Sequence, residues 1–171
     1  MDFRLSEEQQ LLIDGFQKFL QRDAKPLAER FRDQLIPVSD MRSIQQAMLD
    51  FGVGTGVVEE QLGGMGVDSL TTGLLQFELS RCSPDLAVTA LIQNIVGKLI
   101  RYVPEGKKQS YVNDVLAVRR FGCVGMSEPD AGSQITAVRC RAVEDGDDYV
   151  INGEKMWISN GGYSDFIFLL A

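Results

Sequence analysis

FGCVGMSEPDAGSQITAVRCRAVEDGDDYVINGEKMWISNGGYSDFIFLLA, the stretch from Phe121 to Ala171, decides the fold, because here the apolar period shortens from helical to alternating. Val138, Cys140 and Ala142 alternate with Arg139, Arg141 and Val143, the pattern of a half-buried strand. Asp145-Gly146 is a hairpin turn, Tyr149 to Ile151 returns, and Asn152-Gly153 turns again. Met156 to Ser159 and Phe166 to Ala171 add two further strands around Gly161-Gly162. The expectation is an antiparallel meander. Its last strand, FIFLLA, has no turn, charge or cap after it. An apolar strand of that kind belongs inside a sheet, so the chain is expected to be the front part of a longer protein, the alternative being a C-terminal edge strand.

Upstream the grammar is helical. Ser6 and Gln9 form a capping-box pattern, Glu7 and Glu8 sit in the positive first turn, and Leu12, Phe16, Phe19 and Leu20 recur at helical spacing. One helix therefore runs from about Ser6 to about Asp23, with Pro26 marking a break or fresh start before a second that reaches about Arg32. Ser39 can cap a third, carrying Ile44, Met48 and Leu49 inward and closed by Gly52. Glycines gather between Gly52 and Gly66, which reads as an ordered loop. Leu70, Leu74, Phe77 and Leu79 begin a fourth helix. Leu86 to Val103 is a fifth, apolar on most sides and so central, and Pro104 and Gly106 separate it from a last helical segment, Lys107 to about Val118. The fold class is thus α+β: an all-helical bundle over residues 1–120, then the start of an antiparallel β domain over 121–171.

With 171 residues, 44% of them hydrophobic, the chain can bury one sizeable core or two small ones. Lys plus Arg is 17 against 24 for Asp plus Glu, a net charge of −7, which argues against nucleic acid or anionic membrane partners. Histidine is absent, so Ser-His and Cys-His nucleophiles and histidine metal ligands are excluded, and no metal site is expected. Cys82, Cys123 and Cys140 are widely spaced and odd in number, which reads as reduced and structural. The acidic MDFRLSEEQQ start is unlike a signal or transit peptide. No apolar run approaches the ~20 residues of a membrane span, and a cytoplasmic setting is expected.

Two segments stand out chemically. SEPDAGSQ, Ser127 to Gln134, offers a turn rich in free N–H groups and hydroxyls with little side-chain bulk, which suits an anionic or heteroaromatic ligand; composition alone favours a β-turn or helix cap that binds nothing. In GEKMWISN, Gly153 to Asn160, strand alternation would put Trp157 and Ser159 on one face, an indole beside a hydroxyl, a wall suited to an aromatic ring with polar edges. The plain alternative is a buried tryptophan with a serine at a strand end. The acidic cluster Glu144, Asp145, Asp147 and Asp148 reads as a solvated hairpin tip, Lys107 and Lys108 as a wet face, and Leu86 to Val103 as plain core or as the wall of an apolar pocket.

Taken together, the opening DFRLSEEQQLL, the turn LGGMGVD, SEPDAGSQ, DGDDYVINGEKMWISN and the closing FLLA resemble the acyl-CoA dehydrogenase family of flavoenzymes over the whole chain. The resemblance implies a helical N-terminal domain, a middle β domain that contacts the flavin, and a C-terminal four-helix domain that is absent here. It implies FAD as cofactor. Met126 and Ser127 would lie at the polar edge of the flavin ring, Ser133 would reach the pyrophosphate, Trp157 would pack beside the isoalloxazine, and Ser159 would hydrogen-bond near N5. Ser stands at 127 and 159 where Thr is usual in the family, Gln134 replaces an acidic residue, and the proline usual before the acids near Glu59 is missing.

The reaction implied is α,β-dehydrogenation of an acyl-CoA thioester, with proton loss at Cα and hydride transfer from Cβ to flavin, in fatty acid metabolism. The carboxylate base would lie in the missing C-terminal part, so no catalytic residue is expected in this chain; Glu128 is expected to shape its turn. Partners implied are the acyl-CoA, an electron acceptor such as an electron-transfer flavoprotein, and further copies in a tetramer or dimer. An acyl-CoA oxidase or enoyl-CoA reductase on the same scaffold, or a truncated non-catalytic relative that binds acyl-CoA or a partner, are the alternatives.

Overall fold

The computed structural model describes residues 4–171, with the side chains at 105 and 107–109 outside the description, so the wet face expected at Lys107 and Lys108 lies outside the described residues. Six α-helices come first: α1 (Glu7–Phe19), α2 (Lys25–Arg30), α3 (Val38–Ala47), α4 (Ser69–Cys82), α5 (Pro84–Leu99) and α6 (Glu105–Leu116). Four short strands follow: β1 (Gly122–Gly125), β2 (Arg141–Asp145), β3 (Asp148–Asn152) and β4 (Phe166–Leu169). No described helix is long and apolar enough to cross a membrane.

Local chemistry sets the helix starts. The Ser6 hydroxyl accepts the Gln9 N–H and the Ser6 N–H donates to the Gln9 side chain, both at 3.1 Å, which is the capping box. After Phe19 the chain takes a π turn, Leu20–Ala24, in which the Lys25 N–H reaches the Leu20 carbonyl. Pro26, lacking an N–H, then falls in the first turn of α2, where none is required. The third helix starts two residues earlier than expected, at Val38 behind Pro37, and Ser39 does not cap it. Asp68 and Ser83 cap α4 and α5 with their side chains. Gly52, at φ 78, ends the turn after α3.

Phe16, Met41, Met48, Leu75, Leu79, Leu86 and Phe121 are the centre of the main core, where the Phe16 and Phe51 rings stand 5.1 Å apart. As expected α5 is central, burying Leu86, Ala87, Ala90 and Val96. It ends at Leu99, with a 3-10 turn over Ile100–Tyr102. Val88, Leu91 and Ile95, at helical spacing on its remaining side, are exposed.

The β segment departs from a meander. Only β2 and β3 form an antiparallel hairpin, pairing Arg141 with Asn152 and Asp145 with Asp148. β4 instead lies parallel to β1, Gly122 opposite Phe166 and Gly125 opposite Leu169. Met156 to Ser159 is not a strand: Trp157 has φ 57 and Asn160 has φ 64. Nor is the β2 region half-buried, since every residue of the hairpin is exposed and no described element covers either face. A hairpin without a packed face is marginal in water.

β1 is fastened to the helices. The Gln93 side chain accepts the Gly122 N–H at 3.3 Å and donates to the Arg120 carbonyl at 3.0 Å. A Cβ on Gly122 would come within 2.6 Å of the Val96 side chain, so glycine is what allows β1 to lie on α5. Arg42 from α3 sits 5.0 Å over the Phe121 ring and pairs with Asp165, whose carboxylate also accepts the Phe121 N–H at 2.8 Å.

Candidate functional site

The two chemically distinctive segments meet. The Met156 N–H donates to the Ser127 carbonyl at 3.0 Å, and the Lys155 ammonium donates to the Met126 carbonyl at 3.2 Å. Met126-Ser127, at the end of β1, is thereby set against the chain that runs into Trp157. Just before it, Gly153 lets the chain pass close to Cys140: at φ 154, a Cβ there would come within 2.7 Å of the Cys140 backbone.

Glu128 organises the turn. Its backbone exchanges hydrogen bonds with Ala131, N–H to carbonyl at 2.8 and 3.2 Å. Its carboxylate, with the side chain only 5% exposed, accepts the Arg139 N–H at 2.7 Å, the Cys140 N–H at 2.9 Å and the Lys155 ammonium at 2.8 Å. The Lys155 hydrogen bond first, and then the backbone donors, hold this carboxyl down at about 2, against burial, which opposes ionisation. The geometry matches the expectation that Glu128 shapes the turn: a carboxylate buried and held by three donors has little proton affinity to offer as a general base.

This shift carries a pH prediction. The unfolded chain, with an ordinary value of 4.5, takes up the proton before the folded chain does. The stabilisation is therefore fully present above about pH 4.5 and is lost as pH falls toward about 2. Thermal midpoints measured from about pH 6 to about pH 2 should fall more steeply in the wild type than in Glu128→Gln; parallel curves would contradict the ion pair.

The candidate residues stand as follows. Met126 is 44% exposed and Trp157 is 84% exposed, so the alternative of an ordinary buried tryptophan is overturned. Left-handed backbone at Trp157, fixed between the bond of Met156 to Ser127 and the anchor at Asn160, turns the indole outward instead of placing it on a strand face beside Ser159. Asn160 itself is buried and donates from its side chain to the Thr89 carbonyl of α5 at 3.2 Å. Ser159 opens on a cavity of about 230 Å³ shared with Val88 and Thr89 of α5 and with Tyr163. Ser133 lies exposed in the loop before the 3-10 turn Ile135–Ala137, linked by no hydrogen bond to the other four. The structure thus joins Met126, Ser127 and the approach to Trp157, sets Ser159 against α5, and leaves Ser133 at the far end of the turn.

A flat aromatic dinucleotide fits this donor set. No hydrogen bond between described residues uses the hydroxyls of Ser127, Ser133 or Ser159, which leaves all three available to a ligand. A Cβ at Gly132 would meet nothing within 4 Å, so the loop backbone is open to close approach. Sequence reasoning missed Lys155 and Asn160; both lie inside the quoted GEKMWISN, but only their tertiary partners reveal their roles. The acidic residues at the β2–β3 tip are exposed, with the Tyr149 hydroxyl donating to Glu144 at 3.3 Å.

Known proteins are similar to this chain in sequence and in fold. Isovaleryl-CoA dehydrogenase, mitochondrial, of Bos taurus is 31% identical over 169 residues, 98% of this chain and 39% of that protein. The crystal structure of acyl-CoA dehydrogenase from Geobacillus kaustophilus superposes with a TM-score of 0.83 at 28% identity, covering 99% of this chain and 44% of that one. A glutaryl-CoA dehydrogenase from Mycobacterium smegmatis, solved in complex with FADH2, gives a TM-score of 0.80 at 25% identity, covering 95% of this chain and 42% of that one. The chain spans about two fifths of the length of the curated relatives it matches. Residues 6–119 match the acyl-CoA dehydrogenase N-terminal domain and residues 123–171 the acyl-CoA dehydrogenase middle domain, and with nearly every residue so accounted for the chain belongs to the acyl-CoA dehydrogenase family.

Proposed function

We propose that this chain is the flavin-facing front part of a FAD-dependent acyl-CoA dehydrogenase, which removes a proton from Cα and a hydride from Cβ of an acyl-CoA thioester. The observation that carries this reading is the pairing of Met126-Ser127 with Lys155-Met156, which sets the free Ser127 hydroxyl and the exposed Trp157 indole along one seam. The bound flavin supplies the hydride acceptor. The chain's own groups orient and shield: Met126 and Ser127 at the polar edge of the ring, Trp157 against its face, Ser159 toward N5, and Ser133 at the pyrophosphate. The exposed line Val88, Leu91 and Ile95 on α5 gives the acyl chain an apolar wall that excludes water, and Val88 borders the same cavity as Ser159.

The same reading divides the chain at 120 and 121 into a helical domain and the start of the middle domain. It assigns the base to a carboxylate in a C-terminal helical domain, electrons to an acceptor such as an electron-transfer flavoprotein, and the family-length protein to a tetramer or dimer. A cytoplasmic setting and a place in fatty acid metabolism belong to it too; the three free thiols support a reducing compartment.

FAD titration of serine variants of the family-length protein tests the reading. Ser127→Ala and Ser159→Ala should each cost about 1 kcal/mol, roughly a fivefold weaker dissociation constant, if each removes one hydrogen bond to the cofactor. Unchanged affinity in both variants would remove these hydroxyls from the flavin site.

A further inference from the structure

We propose that Lys155 is a positioning residue for the flavin wall, its ammonium setting the separation between the Met126-Ser127 segment and the Trp157-Ser159 segment. The inference rests on the flavin reading above and adds to it a residue that does not itself touch the flavin.

Among the described residues, Lys155 is the one side chain that bonds both to the ring-edge segment and to its turn. Its ammonium donates to the Met126 carbonyl at 3.2 Å and to the Glu128 carboxylate at 2.8 Å, and its side chain is only 6% exposed. Glu128 in turn gathers the Arg139 and Cys140 N–H groups, so one clasp ties residues 126–128, 139–140 and 155–156 together. The next residue, Met156, bonds to the Ser127 carbonyl, and Trp157 follows at once. Displacement of the ammonium therefore moves the ring-edge and ring-face groups relative to each other.

Stability alone does not account for such a pair. Two ions taken out of water lose much of their attraction to desolvation, and apolar replacements of similar volume are often as stable. What an apolar pair does not supply is the directed bond to a main-chain carbonyl. Of the other charged groups near the clasp, Arg139 and Asp130 are exposed and pair with each other at 2.8 Å, and Glu154 is exposed, so the buried ammonium is left to Glu128 and Met126. The low value held at Glu128 keeps its carboxylate ionised at any working pH.

The test compares the family-length protein with Lys155→Met, Glu128→Gln and, as a control on α1, Ile13→Ala, which is buried and remote in sequence from the clasp. Two quantities are read: the FAD dissociation constant, and hydrogen exchange of the Met156 and Cys140 amides in the cofactor-free protein. Lys155→Met should weaken FAD at least about tenfold, the scale on which misplacing ligand-facing groups acts, and should speed exchange at Met156. Ile13→Ala should leave FAD affinity within about twofold, because its packing defect does not reach the seam. Glu128→Gln, which keeps the acceptor shape without the charge, should fall between and carries the test if Lys155→Met does not fold. Wild-type FAD affinity in a folded Lys155 or Glu128 variant, or an equal loss in Ile13→Ala, would overturn the positioning role and leave the flavin reading standing. A wild-type protein that takes no FAD would overturn both.

Discussion

Phe16→Ala should cost about 3–5 kcal/mol of stability, the largest single loss expected from the helical core. The ring is fully buried, faces Phe19 and Phe51 with centroids 6.1 and 5.1 Å away, and belongs to the cluster that joins α1 to α3, α4 and α5. Removing it forfeits the transfer of a large apolar side chain and leaves a cavity that rigid helices on several sides close poorly. Denaturant unfolding measures the effect as a lower midpoint at unchanged slope. A loss below about 1 kcal/mol would mean that the α1 contacts are loose.

The second large effect is on turnover. Residues 1–171, given FAD, acyl-CoA thioesters of several chain lengths and an artificial electron acceptor, should show no turnover above background. A general base contributes typically about 10²- to 10⁴-fold. Glu128, the carboxylate closest in sequence to the ring-edge residues, is held by two N–H donors and an ammonium and is ionised down to about 2. Turnover at the rate of an ordinary flavoenzyme would show that a base is present in the chain, with Glu128 the first to be replaced.

What was legible in the sequence was what is decided locally. The Ser6 and Gln9 capping box, the glycine stop at Gly52, the central burial of α5 and the Asp145-Gly146 hairpin depend on neighbours a few residues away, and each has its own pattern of residue types. The pairing of β4 with β1 was not legible. Parallel strands more than 40 residues apart carry no turn signal, and here the connection between them holds a hairpin, not a crossover helix. The same limit applies to the candidate site. SEPDAGSQ and GEKMWISN stood out as distinctive, but the left-handed turn at Trp157 is imposed by bonds at Met156 and Asn160 to distant carbonyls. Nothing in the local sequence marks Lys155, whose burial comes from distant partners, Glu128 and the Met126 carbonyl.

The most direct measurement is the emission of Trp157 during an FAD titration of the family-length protein, taken as the difference between wild type and Trp157→Phe. Trp157 is the single tryptophan of this chain, and its indole is exposed beside the seam where the flavin is proposed to lie. The account predicts that the Trp157 emission is strongly quenched in step with flavin binding followed independently by absorbance. Trp157 emission that stays unchanged at saturating, independently confirmed FAD would contradict the placement of the flavin against this wall.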